Sequence, residues 1–169
     1  LDEAVLNPGI SVVFFDVGKG DAILIRTQEG CMLIDTGYDE TREVILNYLA
    51  EQKIEKLDYL ALTHFDKDHV GGADHILKEV EVGKVLQPDY ESDSDQYQEY
   101  CQVMKDKKME PVYVTETTEL SLNNAEILIY PPQKNEYKEE DNDFSLVISL
   151  RYGKRRFLFT GDCERERLN

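Results

Sequence analysis

Between Leu60 and Gly72 the chain reads LALTHFDKDHVGG, and four of its side chains, His64, Asp66, Asp68 and His69, are able to bind a metal ion. They crowd together just ahead of Gly71 and Gly72. Two imidazoles and two carboxylates buried unpaired would each cost on the order of several kcal/mol, and a shared cation removes that cost. The segment therefore predicts a metal loop. A calcium EF-hand beginning at Asp66 would match at Asp68 and Gly71, but it puts Val70 at its fifth position and Leu77 where the closing Glu belongs. A helical zincin needs Glu after the first of two histidines four apart, whereas Phe65 follows His64 and Asp68 stands at the fourth place. A polar strand-to-helix turn with Asp and His as caps requires one or two such residues rather than four.

The elements that must position this loop read as an alternation of strands and helices, which argues an α/β fold. An apolar run over 57–62 predicts a buried strand ending at the loop, and 73–78 begins a helix that carries His75 as a surface histidine. Upstream, 10–15 and 22–27 predict a hairpin around Gly18, Lys19, Gly20 and Asp21. That turn is no phosphate loop, because Val13 stands where the first glycine is required. A strand over 31–34 delivers Asp35, Thr36 and Gly37, and Asp35 either bonds loop amides or serves a site. Helical spacing over 39–52, with Asp39 or Thr41 as cap, and over 96–108 predicts two helices covering a sheet face. Further strands are predicted over 82–86, 112–114, 120–122 and 125–130, with Asn123 and Asn124 as a tight turn. The polar stretch 133–143 is a loop ending at Asn142 and Asp143, and a hairpin of 144–152 with 156–159 returns Asp162 to the sheet edge.

With 169 residues the chain has the length of one domain with a real core, spanning 1–169. Its net charge of -16 should repel nucleic acid and anionic membranes, except where metal or a local basic cluster such as Lys154, Arg155 and Arg156 reverses the field. No apolar run is long enough to cross a membrane, and the opening residues do not read as a charged-then-apolar leader. Three cysteines, Cys31, Cys101 and Cys163, are too far apart for a metal pair and argue against a disulfide framework.

The order His64-x-Asp66-x-Asp68-His69, then Gly71-Gly72, resembles the metal motif of the metallo-beta-lactamase superfamily, with Asp66 where a second His is usual. The flanking segments FDVGKGDA (15–22), LIDTG (33–37), NDFSLV (142–147) and FTGD (159–162) narrow the resemblance to the branch typified by the soluble domain of the bacterial competence DNA-uptake channel. The resemblance implies an αββα sandwich of two mixed sheets flanked by helices, here lacking its C-terminal part. It implies one or two divalent ions, Zn or Mn, with His64 and Asp66 on the first, Asp68 and His69 on the second, and Asp162 bridging. Asp68 would orient the attacking water as the catalytic group, and Asp35 would brace the metal loop. Asn142 or Asp143 would stand where the superfamily has a third histidine, and Tyr90 and Tyr97 would lie near the substrate cleft. An aspartate in place of an imidazole makes the first pocket harder and favours manganese, magnesium or iron. The implied function is hydrolysis of a phosphodiester or similar ester by a metal-bound hydroxide, with a nuclease-like activity at the front. The alternatives are a small-molecule hydrolase acting on a lactam, lactone or thioester, and a binding or scaffold module that has lost turnover. A sheet edge left open late in the chain would invite self-association.

Overall fold

The computed structural model describes residues 2–7, 9–133 and 144–163. Seven strands form one sheet in chain order: β1 (Asp2–Asn7), β2 (Ile10–Phe14), β3 (Ile23–Thr27), β4 (Cys31–Ile34), β5 (Lys56–Ala61), β6 (Glu81–Pro88) and β7 (Val112–Val114). Neighbours from β1 to β4 run antiparallel and those from β4 to β7 run parallel, so the sheet is mixed. Each parallel step needs a crossover. These are α1 (Arg42–Glu51), then α2 (Lys67–Val70) with α3 (Ala73–Glu79), then α4 (Asp95–Asp106).

The helices bury Ile45, Leu49, Ile76 and Tyr100 against one face of this sheet, together with Val13, Leu33 and Leu60 from the strands. The opposite face, through Val12, Met32 and Ile34, meets Ile127, Ile129 and Ile148 of a second sheet. That sheet has the order β11 (Arg155–Phe159), β10 (Val147–Tyr152), β9 (Ala125–Tyr130), β8 (Thr118–Leu122), and its described pairings are antiparallel. The period-two alternation of β9, buried at Ala125, Ile127 and Ile129, is what one covered face requires. β4, buried at all of its residues, is the strand covered from both sides.

Three local features depart from the spacing-based reading. The helix expected over 39–52 opens as a 3-10 turn, Asp39–Thr41, before α1, and neither Asp39 nor Thr41 caps it with a side chain. The metal loop contains a helical turn of its own, α2. β1 adds an edge strand ahead of the predicted hairpin. Among the described residues, no helix is long and apolar enough to cross a membrane.

Candidate metal centre

Four loops converge at the C-terminal ends of β4 and β5. The parallel register Ile34↔Ala61 sets the residues after each strand side by side. Asp35 there takes a left-handed backbone with φ 57°, donates its amide to Ala61 O at 2.9 Å, and is 1% exposed. That conformation is unfavourable for residues other than Gly and is most tolerable for Asp and Asn, so the site holds Asp35 against its backbone preference. Its carboxylate turns under the metal loop. Oδ1 accepts the Thr63 amide at 2.7 Å, and Oδ2 accepts the Thr63 hydroxyl at 2.6 Å and His69 Nδ1 at 2.8 Å.

This carboxylate fixes both imidazoles. Asp35 only accepts, so His69 carries its proton on Nδ1 toward it and turns Nε2 into the site. The Thr63 hydroxyl spends its proton on Asp35 and therefore accepts from His64 Nδ1 at 3.0 Å. His64 is thereby set in the same tautomer, and both Nε2 atoms are buried without a hydrogen-bond partner among the described residues. Two orphaned imidazole nitrogens facing one space are what a cation site offers before the ion binds.

The loop backbone is held from several sides. Phe65 packs at a tilt against Tyr97 at 4.4 Å and Tyr90 at 4.8 Å between ring centroids. Its amide donates to the Tyr90 hydroxyl at 3.0 Å. Both tyrosines thus anchor the loop, and Tyr97, only 7% exposed, packs in the core. Asp66 occupies the N-cap of α2 but makes no capping bond, which leaves its carboxylate 3.6 Å from His64 Nε2. Thr36 donates both its amide and its hydroxyl to His69 O, at 2.7 and 2.9 Å. Gly20 packs so tightly on Asp68 that a Cβ would run into that residue's carbonyl. Asp21 then donates its amide to Asp68 O at 3.2 Å.

The donors fall into two trios that share Asp162. One is His64, Asp66 and Asp162, and the other is His69, Asp21 and Asp162, each with its ligand atoms within 4.8 Å of one another. Asp162 Oδ2 lies 3.7 Å from His64 Nε2 and 3.3 Å from His69 Nε2. Donors about 2.1 Å from a tetrahedral ion stand about 3.4 Å apart, so these spacings fit divalent metal. Four of the five expected ligands, His64, Asp66, His69 and Asp162, are thus gathered. Asp68 stands at the rim, its side chain 22% exposed and its Oδ2 3.9 Å from His69 Nε2. Asn142 and Asp143 lie outside the described residues. Asp21, not foreseen as a site residue, occupies the second trio. The signal for it was the Gly18-Lys19-Gly20 turn, since glycines that permit close backbone approach bring the next side chain with them.

The charges favour a cation. Among the described residues, Asp21, Asp35, Asp66, Asp68 and Asp162 gather around His64 and His69. Burial works against a charged His69 ring, yet the attraction of Asp35, followed by Asp162 and Asp68, outweighs it and raises its pKa to about 9. The His64 ring beside it holds Asp66 below the usual carboxylate range, and burial pushes Asp21 above it. Without metal, a proton on His69 partly neutralises the cluster.

The family model described as the metallo-beta-lactamase superfamily matches residues 15–168. The chain is 32% identical over 163 residues to Recombination protein 2 of Haemophilus influenzae, covering 94% of this chain and 19% of that protein. It is 25% identical over 173 residues to ComE operon protein 3 of Bacillus subtilis, covering 92% of this chain and 22% of that one. The chain therefore spans about a fifth of the length of these relatives. Among solved structures, a metallo-beta-lactamase with a HARLDQ motif from Cronobacter sakazakii superposes with a TM-score of 0.63 at 12% identity, covering 95% of this chain and 58% of that one.

Proposed function

The chain belongs to the metallo-beta-lactamase superfamily, and on that premise we propose that it is a metal-dependent hydrolase domain acting on phosphodiesters, with single-stranded DNA as the leading substrate. The observation that carries this reading is the pair of donor trios joined at Asp162. His64, Asp66 and Asp162 would hold one divalent ion, and His69, Asp21 and Asp162 a second. Bound there, the ions would supply an acidified water and positive charge for the phosphoryl oxygens. Asp162 would serve both positions. Asp35 and Thr63 keep both Nε2 lone pairs aimed inward, so no proton has to move within the rings when substrate arrives. Asp68, at the rim, would orient the attacking water and take its proton. The carboxylate-rich donor set favours manganese over a soft thiolate-type ion, with zinc the other candidate.

The names of the two relatives, one a recombination protein and one from a competence operon, favour a nucleic-acid substrate. The net charge of -16 works against a polyanion, so binding depends on the ions and weakens as salt rises.

A substrate panel tests the reading. The metal-loaded chain is offered single-stranded DNA, a bis-aryl phosphodiester, a lactone and a β-lactam. Phosphodiester turnover that depends on added Mn2+ and is lost in Asp162→Asn supports it. Turnover confined to the lactone or lactam assigns a small-molecule hydrolase, and silence across the panel in metal-loaded protein assigns a binding module.

A further inference from the structure

Behind the metal loop a second group of donors comes together: Asp39 in the 3-10 turn, and Asp74 with His75 in the first turn of α3. His75 Nε2 stands 3.4 Å from Asp39 Oδ1 and 3.7 Å from Asp74 Oδ2. One donor atom from each of the three lies within 4.8 Å of the others. These separations are long for direct hydrogen bonds. They match the spacing of about 3.4 Å between donors around a four-coordinate ion.

A separate observation points to a ligand. Asp74 is 5% exposed, and its Oδ1 is buried with no hydrogen-bond partner, while Oδ2 accepts from Lys78 Nζ at 2.7 Å. An unpaired buried acceptor costs on the order of 1–3 kcal/mol, more when charged, so this oxygen calls for a partner that the described residues do not supply. The three side chains line a cleft of about 410 Å³ to which α4 adds the carboxylates of Glu99 and Asp106.

We propose that Asp39, Asp74 and His75 form a second divalent transition-metal site, distinct from the centre at His64 and His69. One imidazole with two carboxylates suits Zn2+, Mn2+ or Ni2+ better than the all-oxygen shell of Ca2+. The open cleft leaves coordination positions for water. Lys78, half-exposed at 51%, is free to swing out as the ion takes over its carboxylate, and Arg42, donating to Asp39 Oδ1 at 2.9 Å, holds that group beside His75. An ion here ties the 3-10 turn to α3, and these two segments wall the metal loop. A Cβ on Gly71 would lie 2.5 Å from the Asp39 amide nitrogen, and one on Gly72 would lie 2.7 Å from Thr36 O. Occupancy therefore stiffens the primary centre from behind without touching substrate.

The chain has three histidines, so each imidazole is resolvable by nitrogen NMR. Zn2+ is titrated into the full chain. The expected result is that His64 and His69 respond first and His75 Nε2 shifts in a second, weaker phase. Asp39→Asn should remove the His75 response and leave the other two unchanged. Asp74→Asn provides the same reading if the first variant folds poorly. A His75 ring that stays unchanged up to millimolar Zn2+, or one that shifts as in wild type in both variants, overturns the site. Because none of its residues belongs to the proposed hydrolytic centre, the result is independent of whether phosphodiesters are cleaved.

Discussion

Asp35 and Thr63 share a buried 2.6 Å hydrogen bond through which one carboxylate governs two imidazoles, His69 directly at 2.8 Å and His64 through the Thr63 hydroxyl. Removing an outer partner of a metal-binding histidine typically lowers metal affinity 10- to 100-fold, about that range here. Asp35→Asn should do so at both positions, because an amide presents its own protons where the carboxylate accepted three. Competitive titration against a chromophoric chelator measures it, and an unchanged affinity would show that the tautomers are set elsewhere.

Thr63→Val separates the two arms. It keeps the β-branched shape and removes the hydroxyl that accepts from His64 Nδ1. Affinity at the first position should fall about tenfold while the second is nearly preserved, and Thr63→Ser should restore it. Equal loss at both positions by the same titration would count against a relay specific to His64.

The raised pKa of His69 gives two pH dependences. Its folded value of about 9 lies above the unfolded reference of 6.5. The metal-free fold therefore binds the extra proton between those values, and its contribution to stability is full below 6.5 and disappears as pH rises through about 9. Metal must displace that proton. Calorimetry at pH 7 in buffers of different ionisation enthalpy should report about one proton released from His69, with affinity rising about tenfold per pH unit until the ring is neutral. Release of no proton at pH 7 would contradict the assignment.

Gly20→Ala places a methyl against the Asp68 backbone carbonyl, where no flexible side-chain end can yield. Overpacking of this kind costs about 1–3 kcal/mol. The variant should melt several degrees lower and bind metal more weakly at His69, since both Asp68 and Asp21 shift with the turn. A wild-type melting curve with wild-type metal affinity would show that the close approach is dispensable.

Much of this was legible in sequence because it rests on local spacing. His64, Asp66 and His69 share one loop, and the apolar run before them forms β5, whose end is fixed by the sheet. Asp162 was legible as the end of a hairpin. Asp21 was not, because its place depends on the contact of Gly20 with Asp68, far along the chain, and no periodicity encodes that. The histidine tautomers were also beyond sequence. They follow from the left-handed backbone of Asp35 and from the β4–β5 register, both tertiary in origin. The 3-10 turn at Asp39 escaped a helical reading because helical spacing does not distinguish the first tight turn from the helix that follows.

The proposed sharing of Asp162 by two ions is tested most directly by electron paramagnetic resonance of the chain loaded with Mn2+, followed alongside cleavage of single-stranded DNA. Two tightly bound manganese ions bridged by one carboxylate should give an exchange-coupled signal, and Asp162→Asn should abolish both the coupling and the cleavage. Two uncoupled ions in the wild type, or a coupled pair and full activity surviving in Asp162→Asn, would contradict it.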